Sequence, residues 1–296
     1  MIDFLVYSIY KIFKFIILVI PKPLIKLFLD GLSSFIYLIN KEHREYAFAN
    51  LDFVYQDRLS KDEKKEIVKG TYKTLVYNLY DFVENQTLDL EGFDKKLKVI
   101  NEDVMLNAIK DNRKIILITA HYGNWEYGNT YIPLKYKPTT MVGRPMNNKY
   151  FNDELNKTRT RNNTIMLEKR DAARGLVKAL KDDRIIGLVI DQHNSTGIEI
   201  EFFGKKVLQT DSTSKLAIKF DAIIIPVFFQ RTSFGKYDVI FYDGIEPSDF
   251  KGENRIQELT QAQANVIQQQ IEKEPSQWFW QHKRFKVFHS EIYKKN

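Results

Sequence analysis

The chain has 296 residues, 44% of them hydrophobic, enough to bury one large core or two smaller ones. It carries 45 Lys+Arg against 38 Asp+Glu, a formal charge of +7. That balance favours acidic partners such as anionic lipid, a phosphorylated substrate or an acidic carrier protein. No Lys/Arg tract interleaved with stacking aromatics appears, so no nucleic acid is expected. The absence of cysteine excludes disulfides, thiolate metal sites and cysteine nucleophiles.

The chain opens on an apolar run over residues 4–20, broken only by Lys11 and Lys14. Asp3 precedes it and Pro21-Lys22-Pro23 closes it, with no small-residue cleavage signature, so the segment is expected to stay on the protein. A helix of this length reaches ~26 Å, short of a ~30 Å hydrocarbon core. Lys11 and Lys14 share one helical face, which fits a helix lying in the membrane interface. A short anchor and a buried soluble helix are the alternatives. Lys22, Lys26, Lys41 and Arg44 follow, and the positive-inside rule then puts the body in the cytoplasm.

A second apolar stretch covers 24–39, and 42–55 reads as an amphipathic helix. Ser60, with Glu63 three residues on, has the capping-box spacing and starts a helix through Ile67, Leu75 and Leu79. From about Val99 the pattern turns to strand–helix alternation. Strands are expected over 115–119, 139–143, 164–167, 185–190, 223–230 and 237–241. Helices are expected over 124–131, 147–161, 171–181 and 212–220, then a Gln-rich helix over 254–273. Such alternation predicts an α/β fold, a sheet flanked by helices. The domain reading is a membrane-anchoring helical segment over 1–40 and a catalytic domain over 41–296.

The residues most able to do chemistry follow the first strand of that alternation. His121 stands at its carboxyl end and Glu126 lies five residues on. Histidine removes a hydroxyl proton at neutral pH, and a carboxylate can hold its tautomer and stabilise the imidazolium. Gly123 beside it permits close approach by a ligand, and Asn124 can begin a helix whose amides favour negative charge. A structural histidine at a strand end is the competing reading. Arg144 is a fixed cation at another strand exit, able to bind phosphate or an oxyanion, or to form a surface ion pair. Asp191 ends an apolar strand and can reach the same sheet edge as His121, or cap a turn. Asp191 and His193 hint at a metal, but no third ligand stands at recognisable spacing. Lys283, Arg284 and Lys286 form a basic cluster among aromatics, suited to phosphate or headgroups, or simply to solvent. No Gly-x-Ser-x-Gly elbow or P-loop is present.

The wording His121-Tyr122-Gly123-Asn124-Trp125-Glu126 resembles the His-x4-Asp/Glu motif of the lipid A secondary (late) acyltransferases, the lauroyl/myristoyl transferase family. Further blocks resemble that family in order: Arg144-Pro145-Met146-Asn147-Asn148, Asp191-Gln192, Phe202-Phe203-Gly204, and a closing block from Pro275 through Trp278, His282, Lys283 and Arg284 to Lys286. The likeness covers most of residues 40–288.

The resemblance implies a glycerolipid-acyltransferase-like mixed sheet. It implies transfer of a fatty acyl chain from acyl-acyl carrier protein to a 3-hydroxyacyl hydroxyl on a lipid A precursor, at the cytoplasmic face of the inner membrane. His121 would be the base and Glu126 its orienting acid. Arg144, Asn147, Asn148, Asp191, Gln192, Lys283 and Arg284 would meet substrate, with no cofactor or metal required. Transfer to another membrane lipid, a lysophospholipid or glycolipid, is the nearest alternative. A non-catalytic lipid-binding protein is next, and a metal hydrolase using His121, Asp191 and His193 is more distant.

Overall fold

A computed structural model describes residues 2–168, 170 and 172–294. Helices α1 (Ile2–Val19) and α2 (Lys22–Ile39) form a hairpin turned at Pro21, which lacks the N–H a continuing helix needs. Helix α3 (Lys41–Tyr55) leaves α2 at an 86° bend. Helix α4 (Lys61–Asn85) starts at the expected capping box: the Ser60 hydroxyl accepts from the Glu63 amide, and the Glu63 carboxylate accepts from the Ser60 amide.

A short helix α5 (Leu90–Asp94) leads into the α/β body. There follow β1 (Leu97–Ile100), α6 (Glu102–Lys110), β2 (Ile115–Thr119), α7 (Tyr131–Lys135), β3 (Thr139–Gly143), α8 (Lys149–Arg159), β4 (Thr164–Glu168), α9 (Ala172–Lys181) and β5 (Ile185–Val189). A hairpin of β6 (Ile198–Phe202) and β7 (Lys205–Gln209) comes next. Then come α10 (Ser212–Phe220), β8 (Ile223–Ser233), β9 (Lys236–Phe241) and α11 (Arg255–Lys273). The six expected strands are all present. Asp171, the expected start of α9, lies outside the described residues.

Seven strands form one mixed sheet in the order β1-β9-β8-β2-β5-β3-β4. Only the β8/β9 pair is antiparallel, so β2, β5, β3 and β4 point their carboxyl ends to one edge. Alternate residues of β2 enter two cores. Ile116 and Ile118 join Trp278 and Trp280 on one face, and Ile115 and Leu117 join Phe93, Tyr131 and Phe229 on the other. A strand covered on both faces reads as a continuous apolar run, which is why β2 is legible in the sequence.

The stretch expected as a helix over 124–131 instead divides into a 3-10 turn, Trp125–Asn129, and the one-turn α7. On α11 the glutamines are a device of the fold. The Gln261 side chain accepts from the Glu201 amide (2.7 Å) and donates to the Glu201 carbonyl (2.8 Å), while Gln268 accepts from the Phe203 amide (2.6 Å) and Gln257 donates to the Glu199 carbonyl (3.0 Å). Side-chain amides thus satisfy the outer edge of β6.

Candidate active site

His121 sits two residues past β2, where the chain leaves the sheet at the carboxyl edge, and Asp191 does the same past β5, the parallel neighbour of β2. Both are brought together there. The His121 Nδ1 lies 2.8 Å from Asp191 Oδ1, and the His121 backbone N–H donates to Asp191 Oδ2 at 2.9 Å. The Trp278 indole donates to the same Oδ2 at 2.7 Å. Asp191 is buried. Burial opposes its ionisation, but the His121 charge and the bonds from the ring, the indole and the amide outweigh it and hold the carboxyl below its ordinary value. An ionised Asp191 accepts from Nδ1, which puts the ring proton there and leaves the lone pair on Nε2. Nε2 has no hydrogen-bond partner among the described residues, and the His121 side chain is 21% exposed.

The loop around His121 is fixed from both sides. The Gly123 amide donates to the Gln277 carbonyl, the Phe279 amide donates to the His121 carbonyl, and the Asn124 amide donates to Phe229 on β8. Gly123 has φ +53°, and a Cβ there would lie 1.9 Å from the Phe229 carbonyl oxygen. Its small size therefore admits the β8 backbone rather than a ligand, correcting that expectation. Asn124 opens a five-residue 3-10 turn with no side-chain cap, so the expected helix N-terminus beside the histidine does not form.

Glu126 is not the acid that orients His121. Its carboxylate takes Arg159 in a two-pronged ion pair, with Arg159 Nε 2.9 Å from Oε2 and Nη2 on Oε1, and it accepts from Asn129 Nδ2 at 3.0 Å. Both partners are mostly buried (16% and 20% side-chain exposure). Burial works against the Arg159 charge, and Glu126 more than offsets it, so the guanidinium is held more firmly protonated than usual. The pair ties the end of α8 to the 3-10 turn. That turn carries Trp125, whose ring stands 4.9 Å from the His121 ring. It also carries Tyr127, whose hydroxyl donates to buried Asp81 on α4. Glu126 thus shapes the wall of the site through Trp125.

The remaining expected residues separate. Arg144 is exposed on the loop after β3 and has no ion-pair or hydrogen-bond partner among the described residues, and Asn147 is exposed beside it. Asn148 is occupied: its side chain caps α8 by accepting from the Phe151 amide and donates to the Asp3 carbonyl. Arg284 is buried and bonds the carbonyls of Gln192 and Leu208 and the side chain of Gln209. Burial lowers its pKa to about 10. It clamps the Asp191-Gln192 loop instead of meeting substrate, and the Gln192 carbonyl is spent on that clamp. Lys283 places its ammonium 3.9 Å over the Tyr46 ring on α3. Lys286 is exposed, so the basic cluster is split among three environments.

Arg159 was missed in the sequence, and Trp278 and Phe279 stood in the closing block without a role. Arg159 sits in an ordinary polar helix, and only the fold shows that it reaches Glu126. His282 was singled out in the closing block but given no role. Its Nδ1 accepts from the His193 amide at 3.4 Å, and burial, with the nearby charges of His121, Arg284 and His193, lowers its pKa to about 4 despite Asp191. Among the described residues no group of three or more His, Asp or Glu is arranged to hold a metal ion.

The sequence matches the model of a family described as bacterial lipid A biosynthesis acyltransferase over residues 1–287. It is 24% identical over 283 residues to a lipid A biosynthesis acyltransferase of Haemophilus influenzae, covering 92% of this chain and 87% of that one. It is 24% identical over 260 residues to a lipid A biosynthesis palmitoleoyltransferase of Escherichia coli, covering 83% and 80%. It is also 24% identical over 198 residues to a phosphatidylinositol mannoside acyltransferase of Mycolicibacterium smegmatis, covering 64% and 63%. With the match spanning nearly its whole length, the chain belongs to the bacterial lipid A biosynthesis acyltransferase family.

Proposed function

We propose that the protein moves a fatty acyl chain from acyl-acyl carrier protein to the hydroxyl of a 3-hydroxyacyl chain on a lipid A precursor, working from the cytoplasmic face of the inner membrane. The observation that carries this reading is the His121–Asp191 pair, with Nε2 free at the carboxyl edge of the sheet. Nε2 takes the acceptor hydroxyl proton as the oxygen attacks the thioester carbonyl. Asp191 stays ionised and balances the imidazolium. Collapse of the tetrahedral intermediate breaks the C–S bond, and the imidazolium returns its proton to the leaving thiolate. Ester and thiol are formed, and the histidine is regenerated. Arg144, an exposed cation on the loop after β3, meets an acceptor phosphate.

The positive charge suits both an acidic carrier and an anionic leaflet. The experiment offers purified protein acyl-acyl carrier protein together with a lipid A precursor, and follows product by mass spectrometry. A new ester that disappears in His121→Ala supports the reading, and near-normal turnover in that variant overturns it. Transfer to another membrane lipid is the second reading, favoured by the similarity to a phosphatidylinositol mannoside acyltransferase. A lysophospholipid or glycolipid acceptor in a parallel reaction separates the two.

A further inference from the structure

Both lysines of α1 reach towards Glu154 on the body, although the Lys11 side chain stays 47% exposed. Lys14 Nζ lies 2.8 Å and Lys11 Nζ 3.6 Å from Glu154 on α8, and Lys14 also reaches Gln86. The same flank is fastened along its length. Asn148 holds the Asp3 carbonyl, Tyr7 stacks on Tyr150, Tyr10 meets Phe151 edge-on, and Ile17 is buried in a cluster with Val76 and Tyr80 of α4. These positions recur at helical spacing, so one whole side of α1 rests on the catalytic body.

The opposite side of α1, with Leu5, Ile9, Ile12 and Val19, is uncharged and exposed, and α2 continues it with Leu27 and Leu38. Fifteen of the 22 exposed large apolar side chains among the described residues fall between Phe4 and Ile39. A concentration of this kind marks an interaction surface. The loop after β3 extends it: Met146 and Tyr150 are each 45% exposed, and Tyr150 touches Phe4 and Tyr7. Arg144 and Lys149 stand at that rim as exposed cations without ion-pair partners among the described residues, which suits an anionic surface.

We infer that α1, α2 and the β3–α8 loop form a raft that lies in the plane of one leaflet of an anionic lipid bilayer, and that α1 does not cross it. This rests on the membrane reading given above. Crossing would pull α1 away from Glu154 and carry two unpaired lysines into hydrocarbon, at about 2.5–3.5 kcal/mol each near the centre. It would also strip the buried flank from α4 and α8. No single described helix is long and apolar enough to span. Because Asp3 abuts Asn148 beyond β3, the raft runs up to the carboxyl edge of the sheet that holds His121. A lipid acceptor can therefore present its hydroxyl without leaving the leaflet.

The cysteine-free chain allows a direct test. Leu5→Cys, Ile12→Cys, Val19→Cys and Leu27→Cys are each labelled with a fluorophore. They are bound to vesicles of phosphatidylethanolamine and phosphatidylglycerol carrying a quencher at a shallow or a deep chain position. The in-plane raft predicts similar, shallow quenching at all four, and a ~tenfold or greater loss of vesicle binding in Tyr150→Asp. Deep quenching at Ile12→Cys alone, with Leu5→Cys reached by an impermeant thiol reagent only from the vesicle lumen, overturns the raft and leaves membrane attachment standing. Failure to bind vesicles, with or without self-association through this face, overturns both.

Discussion

The Asp191 carboxylate receives three hydrogen bonds, two of them from His121, whose ring and backbone amide each hold one oxygen. The carboxylate thereby fixes the position of the loop and the tautomer of the base together. Asp191→Asn retains much of the shape but cannot balance an imidazolium. Its rate in single-turnover acyl transfer is expected to fall about 10²–10⁴-fold, close to the loss in His121→Ala. Trp278→Phe, which removes one donor from Oδ2, is expected to cost less.

Glu126 and Arg159 should behave as a structural pair. Glu126→Gln leaves a mostly buried guanidinium without its counter-charge, and chemical denaturation is expected to show a loss of about 2–4 kcal/mol. A double-mutant cycle with Arg159→Met should return a coupling of roughly 1–3 kcal/mol. Activity falls too, through Trp125, but by less than in Asp191→Asn, because the carboxylate bonded to the His121 ring is that of Asp191. A larger loss of single-turnover rate in Glu126→Gln than in Asp191→Asn would reverse these roles.

His282 makes stability depend on pH. Its folded pKa is lowered to about 4 from 6.5, so between those values the unfolded chain binds the extra proton and the native state does not. Stability therefore rises with pH across that window and is lost as the pH falls from 6.5 towards 4. This group alone should make the protein about 2 kcal/mol less stable at pH 5 than at pH 7. Denaturant titrations at the two pH values should show the difference shrinking by that amount in His282→Gln.

Gly123→Ala is expected to be among the most damaging small substitutions in the chain. It places a Cβ on the Phe229 carbonyl and demands φ +53° of a residue that disfavours it. A loss of at least ~3 kcal/mol, read as a large drop in melting temperature, is expected together with loss of activity, since the same loop carries His121.

The sequence was most readable where local signals carried the structure. β2, β5 and β8 are apolar runs because both faces are covered, and α4 begins at a capping box that needs only four residues to be seen. β1 was not seen: it has four residues, one of them Lys98, and gains its place by pairing with β9, 140 positions away at Leu97–Tyr237. The expected helix after His121 gave way to a 3-10 turn that contains Gly128, a poor helix former. In the site, His121 and Asp191 were both found, but their partnership crosses two parallel strands and leaves no spacing to recognise. The nearer acid, Glu126, drew the assignment by its place five residues on and by the His-x4-Asp/Glu resemblance. Asn148 and Arg284 were expected to meet substrate, Arg284 alternatively solvent, and the fold instead spends them on a helix cap and a buried clamp, a distinction that depends on which groups the fold leaves unpaired.

The glutamines of α11 have a consequence for solubility. The open side of a two-stranded hairpin is ordinarily a template on which another chain can add a strand. Here that side is already occupied, at Glu199, Glu201 and Phe203, by amides carried on a helix. Each glutamine side chain ends in a group chemically akin to a peptide, so the helix imitates a missing strand without supplying one that could slip in register. The β6 edge is thereby denied to an added strand, and Gln261→Ala would reopen it at its centre.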